Sequence, residues 1–362
     1  MKVSNRFLYY QLVKDLNQNT ERLFKLNNQI SSGRRISTPS DDPLGLSSVL
    51  VYRTELNSFD QYKKSVDYGK GWLNRMDSIL QDVDDLLGRV SELAVQAASS
   101  TSTQSTRVGA AEEIEEIRSM LLGHANAKYG NKYIFGGTMT QTVPFLSVDV
   151  DDLEEDVATM SAAPPASPSE GDRYIDTDDG HIYQYTSGAW NDLGAPAESR
   201  SVIVTDTDTV YVFSQGSWRP MYQGNDETFS FAIGKENSAQ INIPGSRVFL
   251  NPDGNIFTSL LRLERALRSN DVNGIQTEMG VIERAQTVIS DNLAAIGAVE
   301  NKLDHTLTVI DRSRVDTKSM VSSIEDLDYA QAITELKNQE TIYEAALKSA
   351  SMITSLSLVD FI

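Results

Sequence analysis

Proline is absent from residue 44 to residue 143 and again after Pro252, while eight of the ten prolines fall from Pro144 to Pro252. Proline costs about 3 kcal/mol inside a helix. The two empty stretches are therefore where long helices can run, and the middle of the chain must be built differently. The first periodic stretch supports this division. Tyr9, Leu12, Leu16, Asn19, Leu23, Leu26 and Ile30 alternate steps of three and four residues, the seam of a coiled coil in which one stripe is buried against another helix. Such a helix is on the order of 40 Å long. Gly33 is a strong helix stop. After Arg34-Arg35-Ile36-Ser37-Thr38-Pro39-Ser40 the chain restarts at Asp41-Asp42-Pro43, an N-cap aspartate with proline at the first helical position.

The second helix carries Val49, Tyr52, Leu56 and Phe59. After Tyr68-Gly69-Lys70-Gly71, where the glycines predict a break, a kink or one continuous helix, the seam resumes with Leu73, Met76, Leu80, Val83, Leu87, Val90, Ala94 and Ala97. The Ser/Thr-rich run from Ser99 to Ser105 reads as a turn, and a third helix is expected from about Arg107 to Tyr129. Past Phe257, Leu260, Leu261, Leu263 and Leu267 predict a short helix ending near Asn270. A long one follows, with Ile275, Met279, Ile282, Ile289, Leu293, Ile296, Val299, Leu303, Leu307 and Ile310 on one face. A final helix is expected from about Ser323, carrying Ile324, Leu327, Ile333, Leu336, Tyr343, Leu347, Ala350 and Ile353 and running out at Leu356-Ser357-Leu358-Val359-Asp360-Phe361-Ile362. The simplest packing sets this last helix antiparallel on the first. Two helices leave such seams under-covered, which argues for assembly with neighbours.

Between Thr138 and Gly254 stand 19 acidic and 5 basic residues, a net of −14 out of the chain's −19. Runs of β-branched and aromatic residues alternate there with Gly, Pro, Asp and Ser, the pattern of short strands and turns. Ala158 to Gly171 reads as a loop. A 28-residue internal repeat is present: Tyr174-Ile175-Asp176-Thr177-Asp178 through Ile182-Tyr183 to Gly188-Ala189-Trp190 returns as Val202-Ile203-Val204-Thr205-Asp206 through Val210-Tyr211 to Gly216-Ser217-Trp218. Each copy predicts a small hairpin unit with an aromatic plug.

Catalytic chemistry finds little support. The absence of cysteine removes disulfides, thiolate metal sites and cysteine nucleophiles. His124, His181 and His305 lie on different expected elements, and no Gly-rich phosphate loop is present. In Asp176-Thr177-Asp178-Asp179-Gly180 the glycine comes one position too early for an EF-hand loop, and Ser187 stands where the bidentate Glu belongs. Turn chemistry is the better account. Trp190, Trp218, Tyr183, Tyr185 and Tyr211 read as the core of a small β-domain before they read as a carbohydrate-binding platform. No nucleophile, base and orienting group can be named together, so no enzyme activity, cofactor or metal is assigned. The negative charge opposes nonspecific nucleic-acid binding. No run of about 18 apolar residues spans a membrane, and the early Phe7-Leu8-Tyr9-Tyr10 is too short for a cleaved signal.

Leu26-Asn27-Asn28-Gln29-Ile30-Ser31-Ser32-Gly33-Arg34-Arg35-Ile36, followed by Asp41-Asp42-Pro43-Leu44-Gly45, resembles the N-terminal signature of the flagellin family, and Ser323-Ile324-Glu325-Asp326-Leu327-Asp328-Tyr329-Ala330 is similar to its C-terminal counterpart. Within the family, Lys128-Tyr129-Gly130-Asn131-Lys132-Tyr133-Ile134-Phe135-Gly136-Gly137 with Pro144-Phe145, and the ending Leu358-Val359-Asp360-Phe361-Ile362, resemble the hook–filament junction branch more than the filament branch. The resemblance implies a mainly α fold, α+β by content, with a long antiparallel coiled-coil rod formed by both chain ends and a central β-rich insertion. The expected divisions are residues 1–43 with 321–362 as a terminal assembly layer, 44–137 with 255–320 as a helical rod domain, and 138–254 as the insertion. It implies a non-enzymatic adaptor in the extracellular flagellum, exported by the type III route without a cleaved signal. Its implied partners are another hook-associated protein, flagellin, further copies in a ring, and a cytoplasmic export chaperone on the C-terminal helix. The expected assembly surface comprises the seam residues Tyr9, Leu12, Leu16, Leu23, Leu26, Ile30, Ile333, Leu336, Tyr343, Leu347, Ile353, Leu356 and Leu358. Gly33, Arg34, Asp41 and Asp42 form the signature loop. The alternatives are a filament-forming flagellin and a surface adhesion module carried on such a rod.

Overall fold

The computed structural model describes residues 2–359, with side chains described for residue 7 and for residues 10–352. The proline-poor stretches hold the helices. α1 (Lys2–Ser32) leads to α2 (Pro43–Ala98) and α3 (Gln104–Ala125). α2 runs unbroken through Gly69 and Gly71, and the glycines serve close approach instead of bending. A Cβ on Gly71 would collide with the Tyr129 ring, and one on Gly69 would lie 3.3 Å from Ile241 Cγ2. All eight residues of the seam from Leu73 to Ala97 are buried.

α3 begins after Thr103, whose hydroxyl accepts from the Thr106 amide at 3.2 Å, and it ends at Ala125, short of the expected Tyr129. Asn126 terminates it: its side chain donates to the Phe145 carbonyl and accepts from the Phe145 amide, both at 2.9 Å. β1 (Lys128–Tyr129) then folds back on β2 (Lys132–Tyr133) through Gly130 at φ 62°.

The middle is strand and turn. β3 (Thr159–Ser161), β4 (Arg173–Asp176), β5 (Ile182–Thr186) and β6 (Ala189–Asp192) form one sheet in that order; β7 (Ser201–Val204), β8 (Thr209–Ser214) and β9 (Ser217–Pro220) form another. β3 lies inside the stretch expected to be loop. It is drawn into order by parallel pairing with β4, while residues 153 and 157 just before it bridge in parallel to β7. One short strap thus edges both sheets.

The 28-residue repeat holds in detail. Tyr185 pairs with Trp190 as Phe213 pairs with Trp218. The turns share positive φ at Ser187-Gly188 and at Gln215-Gly216. Glu170 accepts from the Ser187 amide at 2.9 Å as Glu198 accepts from the Gln215 amide at 2.5 Å. Each copy is a three-stranded antiparallel meander.

β10 (Ser230–Ala232) pairs with β11 (Ser238–Gln240); after α4 (Gly245–Phe249), β12 (Leu250–Asn251) pairs with β13 (Gly254–Asn255). α5 (Ile256–Ser269) is capped by Asn255 and closes on Asn270 in the left-handed region, φ 63°. α6 spans Val272–Glu325. Its buried line falls every seventh residue at Ile275, Ile282, Ile289, Ile296, Leu303 and Ile310, the repeat of a left-handed coiled coil. α7 (Tyr329–Val359) begins later than the expected Ser323, so Ile324 belongs to α6 and Leu327 to the connection. The reason is the cap. The Asp328 carboxylate accepts from the amides of Ala330 at 3.0 Å and Gln331 at 3.1 Å, whereas the Ser323 hydroxyl turns back to the Met320 carbonyl.

The contacts divide the chain into two units, Met1–Lys63 with Thr308–Ile362, and Lys64–Leu307. In the second, Phe135, Phe145, Phe249 and Phe257 meet with ring centroids 5.1 to 5.9 Å apart and bury completely or nearly so. The stretch Ile134-Phe135 with Pro144-Phe145, read above as a family signature, supplies part of this core.

Candidate assembly surface

The first unit gathers the signature residues from both ends of the chain. Gly33 stops α1 at φ 70°, and its carbonyl accepts from the Leu327 amide at 3.0 Å. Arg34 bridges to Asp326 through the backbone. The Arg35 amide donates to the Glu325 carbonyl, and its guanidinium to the Ile324 carbonyl, both at 2.7 Å. Glu325, with only 8% of its side chain exposed, receives Arg34 Nε at 2.9 Å and Arg53 Nη2 at 2.7 Å. A carboxylate nearly withdrawn from water is retained because two guanidiniums compensate it.

The loop is equally constrained on its other side. Asp41 accepts from the amides of Thr38 at 3.0 Å and Ser37 at 3.2 Å and pairs with Lys25 at 2.7 Å. The Lys25 ammonium, followed by the Thr38 amide, holds the Asp41 carboxyl well below the usual carboxylate range. Asp42 caps α2, accepting from the Gly45 amide at 2.9 Å. Gly33, Arg34, Asp41 and Asp42 therefore build one junction between helices.

α1 and α7 pair antiparallel. Gln339 donates to Asn19 at 3.0 Å, and nearer the junction Gly33 lies against Tyr329. Leu12, Leu16, Leu23, Leu26 and Ile30 are partly buried along the expected line of α1. On α7 the buried line is Ala332, Leu336, Gln339, Tyr343, Ala346 and Ala350, again in steps of four and three. Leu336 and Tyr343 stand where the sequence put them. Ile333 and Leu347 do not: they are 49% and 44% exposed, one position off the seam. The side chains of Tyr9, Ile353, Leu356 and Leu358 lie outside the described residues.

The first unit exposes more than it buries. Among the described residues, fifteen of its large apolar side chains are exposed, against five in the second unit, while its buried apolar residues are Ile36, Val49, Ile310 and Ala332 alone. Tyr10, Val13 and Phe24 are exposed on α1, on a side away from the seam. On α7, Ile333, Ile342 and Leu347 are exposed; at 100° per residue, Ile333 and Leu347 share one side of the helix and Ile342 points to nearly the opposite one. A helix apolar on several sides is one that becomes buried.

Among the described residues no cluster of three or more His, Cys, Asp or Glu side chains is arranged to hold a metal ion, and no helix is long and apolar enough to cross a membrane. The carboxylates of the Asp176–Gly180 turn are engaged locally. Asp176 accepts from the Asp178 amide and Asp179 from the His181 amide, each at 2.8 Å.

Comparison with known proteins agrees with this geometry. The model of the bacterial flagellin N-terminal helical region matches residues 3–140, and that of the C-terminal helical region matches residues 279–362, together more than half of the chain. Flagellar hook-associated protein 3 of Salmonella typhimurium is 29% identical over 146 residues, and that of Escherichia coli is 30% identical over 146 residues. These alignments take 40% of this chain and 46% of each relative, so the chain spans about half the length of these two curated relatives. Polar flagellin A of Vibrio parahaemolyticus is 20% identical over 347 residues, 91% of this chain and 90% of its own. Among solved structures, a flagellar hook-associated protein of Vibrio parahaemolyticus superimposes with a TM-score of 0.56 at 14% identity, over 79% of this chain and all of that one. Flagellar hook-associated protein 3 of Legionella pneumophila gives 0.53 at 12% identity, over 76% and 98%. These likenesses show the fold.

Proposed function

Because this chain belongs to the flagellin family, we propose that it is a non-enzymatic structural adaptor of the flagellum, joining the hook, through another hook-associated protein, to the flagellin filament. The observation that carries the reading is the surface of the first unit. α7 presents Ile333 and Leu347 on one side and Ile342 on nearly the opposite one, while only its Ala332 line faces α1, so neighbouring subunits supply the remaining cover. The higher identity to hook-associated protein 3 than to the flagellins favours the junction over the filament. In this reading the paired α1 and α7 form the layer that contacts neighbours, a ring of copies completes the joint, and a cytoplasmic chaperone shields α7 before type III export.

Deletion of the protein followed by microscopy tests the role: intact hooks with filament subunits shed into the medium are expected. A second reading, that the chain is itself a filament flagellin, draws on the alignment to a flagellin over 91% of the chain. Purified protein decides between them. Long homopolymeric filaments would replace the adaptor with the filament; short or absent self-assembly retains it.

A further inference from the structure

The two repeat copies stack in the same orientation, and the stack has one open end. Side chains alternate across a sheet, so each copy has a front, carrying the paired aromatics, and a back. The front of the second copy bears Val202, Val204, Phe213 and Trp218, all buried in a core completed by Ile175 and Ile182 from the back of the first copy. Trp218 Nε1 donates to the Gly180 carbonyl at 2.8 Å, tying that copy's plug to the first copy's turn. The second copy is itself anchored. Asp208, the counterpart of Gly180, pairs with Arg262 at 2.8 Å, and its carbonyl accepts from Asn255 at 2.7 Å.

The front of the first copy has the opposite character. Tyr183, Tyr185 and Trp190 are partly exposed and pack on each other and on Tyr174 with centroids 4.8 to 5.3 Å apart. Where the second copy has Val204, Thr207 and Pro220, the first has Asp176, Asp179 and Asp192. The Tyr183 hydroxyl is already donated to Asp179 at 2.9 Å, so the face offers acceptors and π surfaces and few free donors. We propose that this aromatic, carboxylate-rimmed face binds the cationic side chains of a basic segment of a partner polypeptide. Ring faces carry negative potential that attracts ammonium and guanidinium groups, and the carboxylates of Asp176 and Asp179 add to it, as does Asp192 in so far as His181 Nδ1, 3.0 Å away, leaves it uncompensated. A second copy of this chain is a poor occupant, since front against front would set like charges together, and the back of another repeat would need the aliphatic front that the second copy has.

Titration of the full chain with a heptalysine peptide, read by calorimetry and tryptophan fluorescence, tests this. Binding is expected to weaken by at least about tenfold in Trp190→Ala and in Asp179→Asn/Asp192→Asn, which keeps the rings and the shapes of the side chains. The control Glu236→Gln/Asp253→Asn removes the same charge at exposed sites away from the face and is expected to change binding less than about twofold. Equal weakening by the two pairs, or binding unchanged in Trp190→Ala, would reduce the effect to diffuse attraction by an acidic chain and overturn the proposal. Binding of a neutral oligosaccharide at this face in place of the peptide would overturn it as well.

Discussion

Gln339 Nε2 donates to Asn19 Oδ1 at 3.0 Å in the middle of an otherwise apolar seam between α1 and α7. A polar pair at one layer of a coiled coil costs stability and fixes register, because a slip would leave both amides unpaired. Asn19→Leu is expected to weaken the pairing by about 1–3 kcal/mol through the stranded Gln339. Asn19→Leu with Gln339→Leu is expected to restore it while loosening the register. Since the chain has no cysteine, disulfide trapping between engineered pairs along the seam measures both: one register in the parent, several in the double variant.

Leu336 and Ile333 separate pairing from assembly. Leu336→Asp should disrupt the α1–α7 seam, which hydrogen exchange on the monomer would detect in both helices. Ile333→Asp, at a side chain 49% exposed, should leave monomer exchange within about 0.5 kcal/mol of the parent and still abolish incorporation into flagella. Normal incorporation of Ile333→Asp would remove that side of α7 from the assembly surface.

Gly33 is fixed by backbone and by neighbour. Its φ of 70° strains any residue with a Cβ, and that Cβ would stand 2.7 Å from Tyr329 Oη. Gly33→Ala is expected to cost about 1–3 kcal/mol at the junction, seen as faster exchange of the amides around Arg35 and Leu327. Tyr329→Phe should relieve the steric part and leave the backbone part.

His181 provides a pH readout inside the first repeat. Its Nδ1 lies 3.0 Å from Asp192, and that hydrogen bond raises the His181 pKa above its ordinary 6.5. A raised folded-state value contributes stability in full below about pH 6.5, lost as pH rises through the folded value. NMR titration should find the elevated pKa, and Asp192→Asn should bring it back towards 6.5; an unchanged titration in that variant would dissociate the two groups.

The equivalent tryptophans should behave differently. Trp218 is 9% exposed and hydrogen-bonded, so Trp218→Ala should cost about 3–5 kcal/mol and release the first repeat from the second. Trp190 is partly exposed, and Trp190→Ala should cost clearly less in the same urea titration.

The helices were legible because burial on one side leaves a period. Ile275 to Ile310 repeats every seven residues, and Leu12 to Ile30 alternates four and three. α7 defeated the same reasoning at Ile333 and Leu347. Its apolar residues occupy several sides, so periodicity did not single out the seam, which runs through Ala332, Gln339 and Ala346. The start of α7 was displaced because Ser323 and Asp328 are both competent caps; only the amides they face distinguish them. The repeat could be read from its spacing, but not the stacking of one copy's back on the other's front, since no local signal relates Ile182 to Trp218. Glu325 was equally hidden: Arg34 and Arg53 find it 291 and 272 residues along the chain.

The pairing of α1 with α7 also sets an order of events. About 300 residues separate the two helices, and a ribosome adding about 5–20 residues per second needs on the order of 15 to 60 s to cross that interval. For that time α1 exists without the helix that covers Leu12, Leu16 and Leu23. The first apolar stripe to be made is the last to be closed, and the cell must shelter it in between.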